Sequence, residues 1–345
     1  MKIQKAANIS IIIALSVIFI IYAKNFLIPL IMAIVLWYLI NALNIIIKKI
    51  PVIGQKLPLR VSLIISTLLT LMVLTFIGGL ITQNINGLIN SAPDYRVNLE
   101  AQIERILGAV GYGQDLDIET LSADLNLGDY LRRVLNSFST IASQFLLILL
   151  YTLFMLLEQS TFRKKMLSLG LKKDRAQNVF KILNGINQAV RTYLGVKFAA
   201  SFATGCLSYI VIRLAGLDFA LFWAFLIFVF NFIPTIGSIV ATLFPSFVAL
   251  VQFEYLTPFF VILAGVGTIQ LIIGGIMEPR LYGDSLNISP LIIVISLVMW
   301  GILWGVVGML LCVPITVILI RVFAQFDSTR PVAVLLSRTG RLPKQ

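Results

Sequence analysis

Long apolar runs separated by short polar stretches dominate the chain. Ile9–Ala23, Phe26–Ile47, Val61–Thr82, Ile141–Leu157, Pro258–Met277 and Pro290–Ile320 are the clearest of seven or eight such runs. A hydrocarbon core about 30 Å thick takes about 20 residues of helix to cross. Inside lipid every backbone N–H and C=O must bond within the protein, so runs of this length predict helices. The expected fold is all-α: a polytopic transmembrane helical bundle of about eight spans, forming a single domain over residues 1–345.

Two runs are longer and more interrupted than a plain span requires. Leu217–Gln252 contains Asn231-Phe-Ile-Pro234-Thr235-Ile-Gly237 and then Pro245; Pro290–Ile320 contains Gly301, Gly305, Gly308 and Pro314. Proline removes a helix donor and crowds the preceding turn. Backbone freed in this way survives at membrane depth only where protein buries it or where it lines a wet cavity. Broken helices are therefore expected in the C-terminal half, either as plain kinks or as the discontinuous helices that carry substrate sites in transporters. Asn231, Thr235, Ser238 and Thr242 recur at helical spacing and would share one face of a continuous helix. That face, with Pro234, Gly237 and Gln270 of the seventh run, is the expected polar pathway. The rows Ser62/Ser66/Thr70, Ser201/Thr204/Gly205/Ser208 and Gly301/Gly305/Gly308 point instead to close helix packing.

The loops also have patterns of their own. Ser91-x-x-Asp94 reads as a helix-starting capping box, followed by Leu99, Ile103, Ile106, Leu107 and Val110 at helical spacing; Asn126-x-x-Asp129 reads as a second start. Residues 83–140 are thus expected to form a helical loop. Residues 158–197 form a basic segment in which Val179, Ile182, Leu183, Ile186, Val190, Tyr193 and Leu194 make an apolar stripe opposite Lys181, Asn184, Asn187 and Arg191. Such a helix lies on the inner leaflet or against the bundle, as an anchor to anionic lipid or as a gate.

Charge orients these elements. The chain has 27 Lys and Arg against 15 Asp and Glu, a net charge of +12. Lysines and arginines cluster at Lys48–Arg60, at Arg163–Lys197 and after Arg321, whereas 83–140 carries eight acidic residues and four arginines. The positive-inside rule then places both termini in the cytoplasm and 83–140 outside. Lys2 and Lys5 before Ile9–Ile21 imitate a signal peptide, but the length of the run and the next one at Phe26 favour a retained first span.

Composition removes several function classes. Hydrophobic residues make up 59% and charged ones 12%, with a mean hydropathy of +0.98; a soluble domain has about 25% charged residues. No long basic face lies outside the membrane boundary, so nucleic acid is not an expected partner. There is no histidine, and the two cysteines, Cys206 and Cys312, sit in apolar runs. Metal sites, other cofactors and Ser-His-Asp or Cys-His catalysis are not expected. No Walker A sequence is present. No catalytic residues are assigned: an intramembrane enzyme would need a catalytic pair that the chain does not show. A receptor would need a recognition domain larger than these loops. A membrane scaffold remains as a non-transport alternative.

Charge inside the runs is nearly missing. Lys24, Glu158, Lys197, Arg213, Glu278 and Arg321 fall near the expected span ends. Glu278-Pro-Arg280-Leu-Tyr-Gly283-Asp284 joins the last two runs, and Arg280 can pair with either acid. Two accounts fit: a solvated turn, or a gate-side cluster of ion pairs formed by Glu278, Arg280 and Asp284.

Three segments carry a family resemblance. Phe230-Asn-Phe-Ile-Pro-Thr-Ile-Gly-Ser-Ile-Val240, Glu278-Pro-Arg-Leu-Tyr-Gly283-Asp-Ser-Leu-Asn-Ile-Ser-Pro290 and Trp300-Gly-Ile-Leu-Trp-Gly-Val-Val-Gly-Met-Leu-Leu-Cys-Val-Pro314 resemble signatures of the autoinducer-2 exporter family, also called predicted permeases. Leu156-Leu157-Glu158 stands where the family has a short acidic motif. The resemblance spans nearly the whole chain and is most specific after Ile141. It implies an eight-span, homo-oligomeric protein of the bacterial inner membrane. It further implies export of a small polar molecule such as autoinducer-2 or, alternatively, sodium(lithium)/proton antiport. The lack of a carboxylate in mid-span speaks against the antiporter.

Overall fold

The computed structural model describes residues 2–51, 56–110, 144–168, 173–283 and 286–340. Among these the regular structure is helical: α1 (Lys2–Tyr22), α2 (Lys24–Lys48), α3 (Leu59–Val110), α4 (Phe145–Ser168), α5 (Lys173–Leu214), α6 (Ala220–Phe230), α7 (Ile236–Gln252), α8 (Thr257–Gln270), a π-helix (Leu271–Met277), α9 (Glu278–Tyr282), α10 (Pro290–Phe323) and α11 (Arg330–Leu336). By length and composition six stretches among the described residues can cross a membrane: Lys24–Lys48, Leu59–Leu88, Phe145–Phe162, Val179–Leu214, Thr257–Tyr282 and Pro290–Phe323. The expected all-α polytopic bundle is the observed fold, and the expected breaks in its C-terminal half are present.

On two of the helices the outward face is apolar and small polar side chains are buried. On α3 the exposed residues Ile64, Leu68, Met72 and Phe76 recur every four positions, while Ser62, Ser66 and Thr70 are buried. On α5 Phe198 and Phe202 are exposed, and Ser201, Thr204 and Ser208 are fully buried. Such inverted faces suit a surface solvated by lipid chains, where apolar exposure costs nothing and small hydroxyls allow close approach. The hydroxyls are satisfied locally: Ser66 donates to Ser62 O at 2.7 Å and Thr204 to Ala200 O at 2.8 Å. Cys312 is buried, whereas Cys206 is on the exposed side of α5.

The chain divides into two compact units: Met1–Thr67 with Ala142–Leu194 and Asp284–Gln345, and Leu68–Ile141 with Gly195–Gly283. In the first unit α2 packs on α4, and α10 on α1, α2 and α11. Trp37 Nε1 donates to Gln159 Oε1 at 2.9 Å. Glu158, of the expected acidic motif, pairs with Lys165 on the exposed side of α4.

The 34 residues of α10 do not form one rod. Gly305 has φ 62° and ψ −144°, a conformation open to glycine and costly for other residues. The chain folds back there. Ser296 Oγ and Thr316 Oγ1 lie 2.7 Å apart, and Gly301 faces the Met309 side chain. A Cβ on Gly308 would overlap the Trp300 carbonyl. At the open end Ser289 N–H donates to Leu336 O at 3.1 Å, and Asn287 Oδ1 accepts from Thr339 N–H at 3.2 Å. The segment entering α10 and the segment beyond α11 therefore share one end, and α10 is a hairpin with arms of about 22 and 27 Å. Gly301 and Gly308 pack closely, as expected, whereas Gly305 meets nothing within 4 Å and is the turn.

The second unit has its core at Ile212, Leu217, Phe222, Trp223, Ile227 and Ile262. Its α6 and α7, of 11 and 17 residues, are shorter than the about 20 residues a span usually takes. They form a second hairpin. At its foot Gln252 closes the two strands of chain, accepting from Asp218 N–H at 3.0 Å and donating to Gly216 O at 3.3 Å. The extension of α3 braces this foot: Gln102 Nε2 donates to Phe253 O at 2.9 Å, and Gly87 lies against the Phe219 ring.

Two loop expectations change. Ser91 starts no helix, because α3 runs unbroken for 52 residues through it. A new start would orphan four N–H groups, and one cap restores only about 1 kcal/mol. The Asn126 start lies outside the described residues. The basic segment 158–197 is not one loop element either: it begins within α4, and its amphipathic stripe is the first half of α5, continuous with the fifth span. Its stripe holds: Val190 and Tyr193 are buried, Ile182, Leu183 and Ile186 half-buried, and Lys181, Asn184, Asn187 and Arg191 exposed. A Cβ at Gly185 would stand 3.7 Å from Arg321 Nη1, so this stripe turns toward protein at that point.

Candidate functional site

The second unit brings together the break between α6 and α7, the π-helix and the polar face of α5. Pro234 and Thr235 end the helical path. Thr235 has φ 60° and ψ −62°, and Ile236 N–H donates to Pro234 O at 2.6 Å. This is a γ-turn of the rare, strained hand. Strain of this kind persists only where its surroundings over-determine it, and it clusters at functional sites. Gly237 follows, buried, with no room for a side chain because a Cβ would overlap the Phe230 carbonyl oxygen.

The break places the expected pathway residues differently from a continuous helix. Asn231 lies before the turn, while Ser238 and Thr242 lie after it on α7, so the four polar residues do not share one face. Asn231 is buried, and its Nδ2 donates to Ser201 Oγ on α5 at 3.2 Å. Thr235 is exposed at the tip and Pro234 half-buried. Ser238 donates back to Thr235 O at 2.8 Å, and the buried Thr242 to Ser238 O at 2.9 Å. Gln270 ends α8, where the π-helix begins. It is 7% exposed, and neither atom of its amide has a partner among the described residues. A polar group left open at that depth is expensive unless something else meets it.

Seven residues of π-helix, Leu271–Met277, carry the chain from Gln270 to Glu278. Such segments are rare and concentrate at functional sites. Both carboxylate oxygens of Glu278 lie 2.8 Å from Lys197 Nζ. Each residue is 7% exposed. The partner of Glu278 is thus Lys197, and not Arg280, which is exposed on α9; Asp284 lies outside the described residues. Lys197 is no loop charge. It sits inside the apolar stretch Val179–Leu214. The pair satisfies two ions that neither lipid nor core would tolerate singly. Removing one partner of such a pair costs about 3–5 kcal/mol, because the other charge stays buried alone.

Lys197 and Ser201 are one turn apart on α5, so they project from the same face. That face ties down the hairpin tip through Asn231 and the end of the π-helix through Glu278. Glu278 and Asn231, far apart in sequence, are thereby held at adjacent turns of one helix. Lys197 and Ser201 were the residues missing from the expected site. The signal was present: Lys197 heads the spacing Lys197, Ser201, Thr204, Ser208, and only its nearness to the basic segment disguised it. Among the described residues no group of three or more Cys, Asp or Glu could hold a metal ion. The cluster offers hydrogen-bond donors and acceptors and one internally neutralised ion pair.

The model of the AI-2E family transporters matches residues 9–327. The AI-2 transport protein TqsA of Escherichia coli is 31% identical over 324 residues, covering 92% of this chain and 90% of that protein. A protein of Haemophilus influenzae is 30% identical over 290 residues, covering 82% of this chain and 83% of its own. One of Borreliella burgdorferi is 39% identical over 200 residues, covering 56% of this chain and about half, 55%, of its own. Both of these are named provisionally as transport proteins. The match covers both hairpins and the cluster between α5, the hairpin tip and the π-helix, in a multi-pass membrane protein: the chain belongs to the AI-2E family of transporters.

Proposed function

We propose that this transporter exports a small polar molecule without net charge across the bacterial inner membrane, with autoinducer-2 as the candidate substrate. Its path passes the tip of the α6–α7 hairpin. The observation behind this reading is the buried Asn231 amide at the helix break, bonded to Ser201. Hairpins whose arms stop inside the membrane put unwound backbone and a polar side chain at depth, which is where transporters bind solutes. Gln270, with its open amide, supplies a second polar group in the same unit. The family name and the relative named for AI-2 transport support the substrate class. A cation antiporter needs an ionisable group free to exchange its cation, and Glu278 already holds Lys197. Both termini face the cytoplasm in this reading, and lipid and further copies of the chain are its partners.

The test is efflux of autoinducer-2 from loaded proteoliposomes. Asn231→Leu should insert and remain monodisperse, yet lose efflux. Efflux at the wild-type rate would remove Asn231 from the path. Equal efflux from wild type and from empty liposomes would reject autoinducer-2 as the substrate.

A further inference from the structure

The Lys197–Glu278 pair stands apart from the proposed solute path at the hairpin tip. It is a bidentate contact, both oxygens at 2.8 Å from one ammonium, on a helix stretch long and apolar enough to cross a membrane. We propose that Lys197 is a tethered counter-cation: its ammonium occupies the place at Glu278 that a monovalent cation, sodium or a proton, would otherwise take. The wild-type chain then needs no sodium at this carboxylate, and loss of the ammonium turns Glu278 into a cation site.

The chemistry follows from charge balance. A carboxylate at this depth must keep a positive partner or take up a proton. One acid and one ammonium make a neutral unit, so no second cation is required. Among the described residues the neighbouring helices supply no substitute. α8 and the π-helix carry no ionisable side chain. On α9 the charged neighbour is Arg280, exposed, and Tyr282 adds only a phenol. One turn before Lys197 on α5 stands another tyrosine, Tyr193. Truncating Lys197 would leave a space the length of a lysine side chain beside two carboxylate oxygens. A hard monovalent cation with its waters, or a proton, fits that chemistry. In the export reading the consequence is transport without sodium coupling at this site. The test reads cation binding by the purified protein, so it stands or falls separately from the substrate.

Wild type, Lys197→Arg, Lys197→Gln and the double variant Lys197→Gln/Glu278→Gln are purified and placed in nanodiscs. Melting temperature is compared in sodium chloride and choline chloride at equal ionic strength, and in choline chloride at mildly alkaline and mildly acidic pH. Lys197→Gln should gain an upward shift with sodium or with acid that wild type and Lys197→Arg lack. A sodium response identifies the metal ion as the ligand, an acid response the proton. The double variant should lose the shift. If Lys197→Gln responds to neither, or if wild type shows a sodium shift that the double variant lacks, the proposal is overturned. Where Lys197→Gln alone yields no folded protein, the double variant should; failure of both shows that the pair serves packing and not charge, and also overturns it.

Discussion

Gly237→Ala tests whether the α6–α7 hairpin is as tight as its geometry implies. The added Cβ would overlap the Phe230 carbonyl oxygen and stand 2.8 Å from its carbon and 2.9 Å from Ile233 Cβ. Overpacking a core costs about 1–3 kcal/mol when side chains can shift. Here the obstacle is backbone at the end of α6, and the glycine's own N–H is bonded to Ile233 O at 3.2 Å. Only opening the tip relieves the clash, so the cost should reach the upper end, about 3 kcal/mol. At 1.4 kcal/mol per factor of ten, that is roughly a hundredfold in the folding equilibrium. Gly274→Ala is the control, since nothing lies within 4 Å of its added Cβ. Losing a glycine there removes about 0.5–1 kcal/mol of backbone entropy cost, so that variant should melt with or above wild type. Thermal unfolding of the two purified variants, followed by fluorescence-detected size exclusion, gives their order. If Gly237→Ala melts as high as Gly274→Ala, the close approach is not part of the folded protein and the reasoning about the tip fails.

Two further outcomes follow from the hairpins. In a chain freed of Cys206 and Cys312, single cysteines at Ser168, Ser285 and Thr339 should all be labelled from the cytoplasmic side and none from outside in intact cells. Labelling of Ser285 opposite to Thr339 would make α10 a single crossing. Thr235→Gly should raise the melting temperature, because strain of about 1–3 kcal/mol at a positive φ exceeds the entropy that glycine adds; a melting temperature at or below wild type would show an unstrained turn.

Membrane class and helical fold were legible in the sequence because lipid imposes them locally, and the family was legible in the three segments after Ile141 that resemble its signatures. A run of about 20 apolar residues has few options once its backbone must bond to itself, and Pro234, Gly237 and Gly305 mark breaks by their own covalent geometry. The same rules located Asn231 beside the break. They did not extend to what the breaks do. Kink and hairpin share one apolar pattern, and the choice rests on contacts such as Ser296 with Thr316 and Gln252 with Gly216. Nor could spacing find the partner of Glu278. Arg280 was near in sequence, but Lys197, 81 positions away, reaches both oxygens. Lysine beside a basic segment looks like a cytoplasmic charge until α5 is seen to run unbroken from Lys173 to Leu214. Local pattern determined which segments enter the membrane. Only tertiary packing decided which polar groups meet there, because a buried charge is neutralised by whatever the fold brings within hydrogen-bonding distance, whatever its separation along the chain.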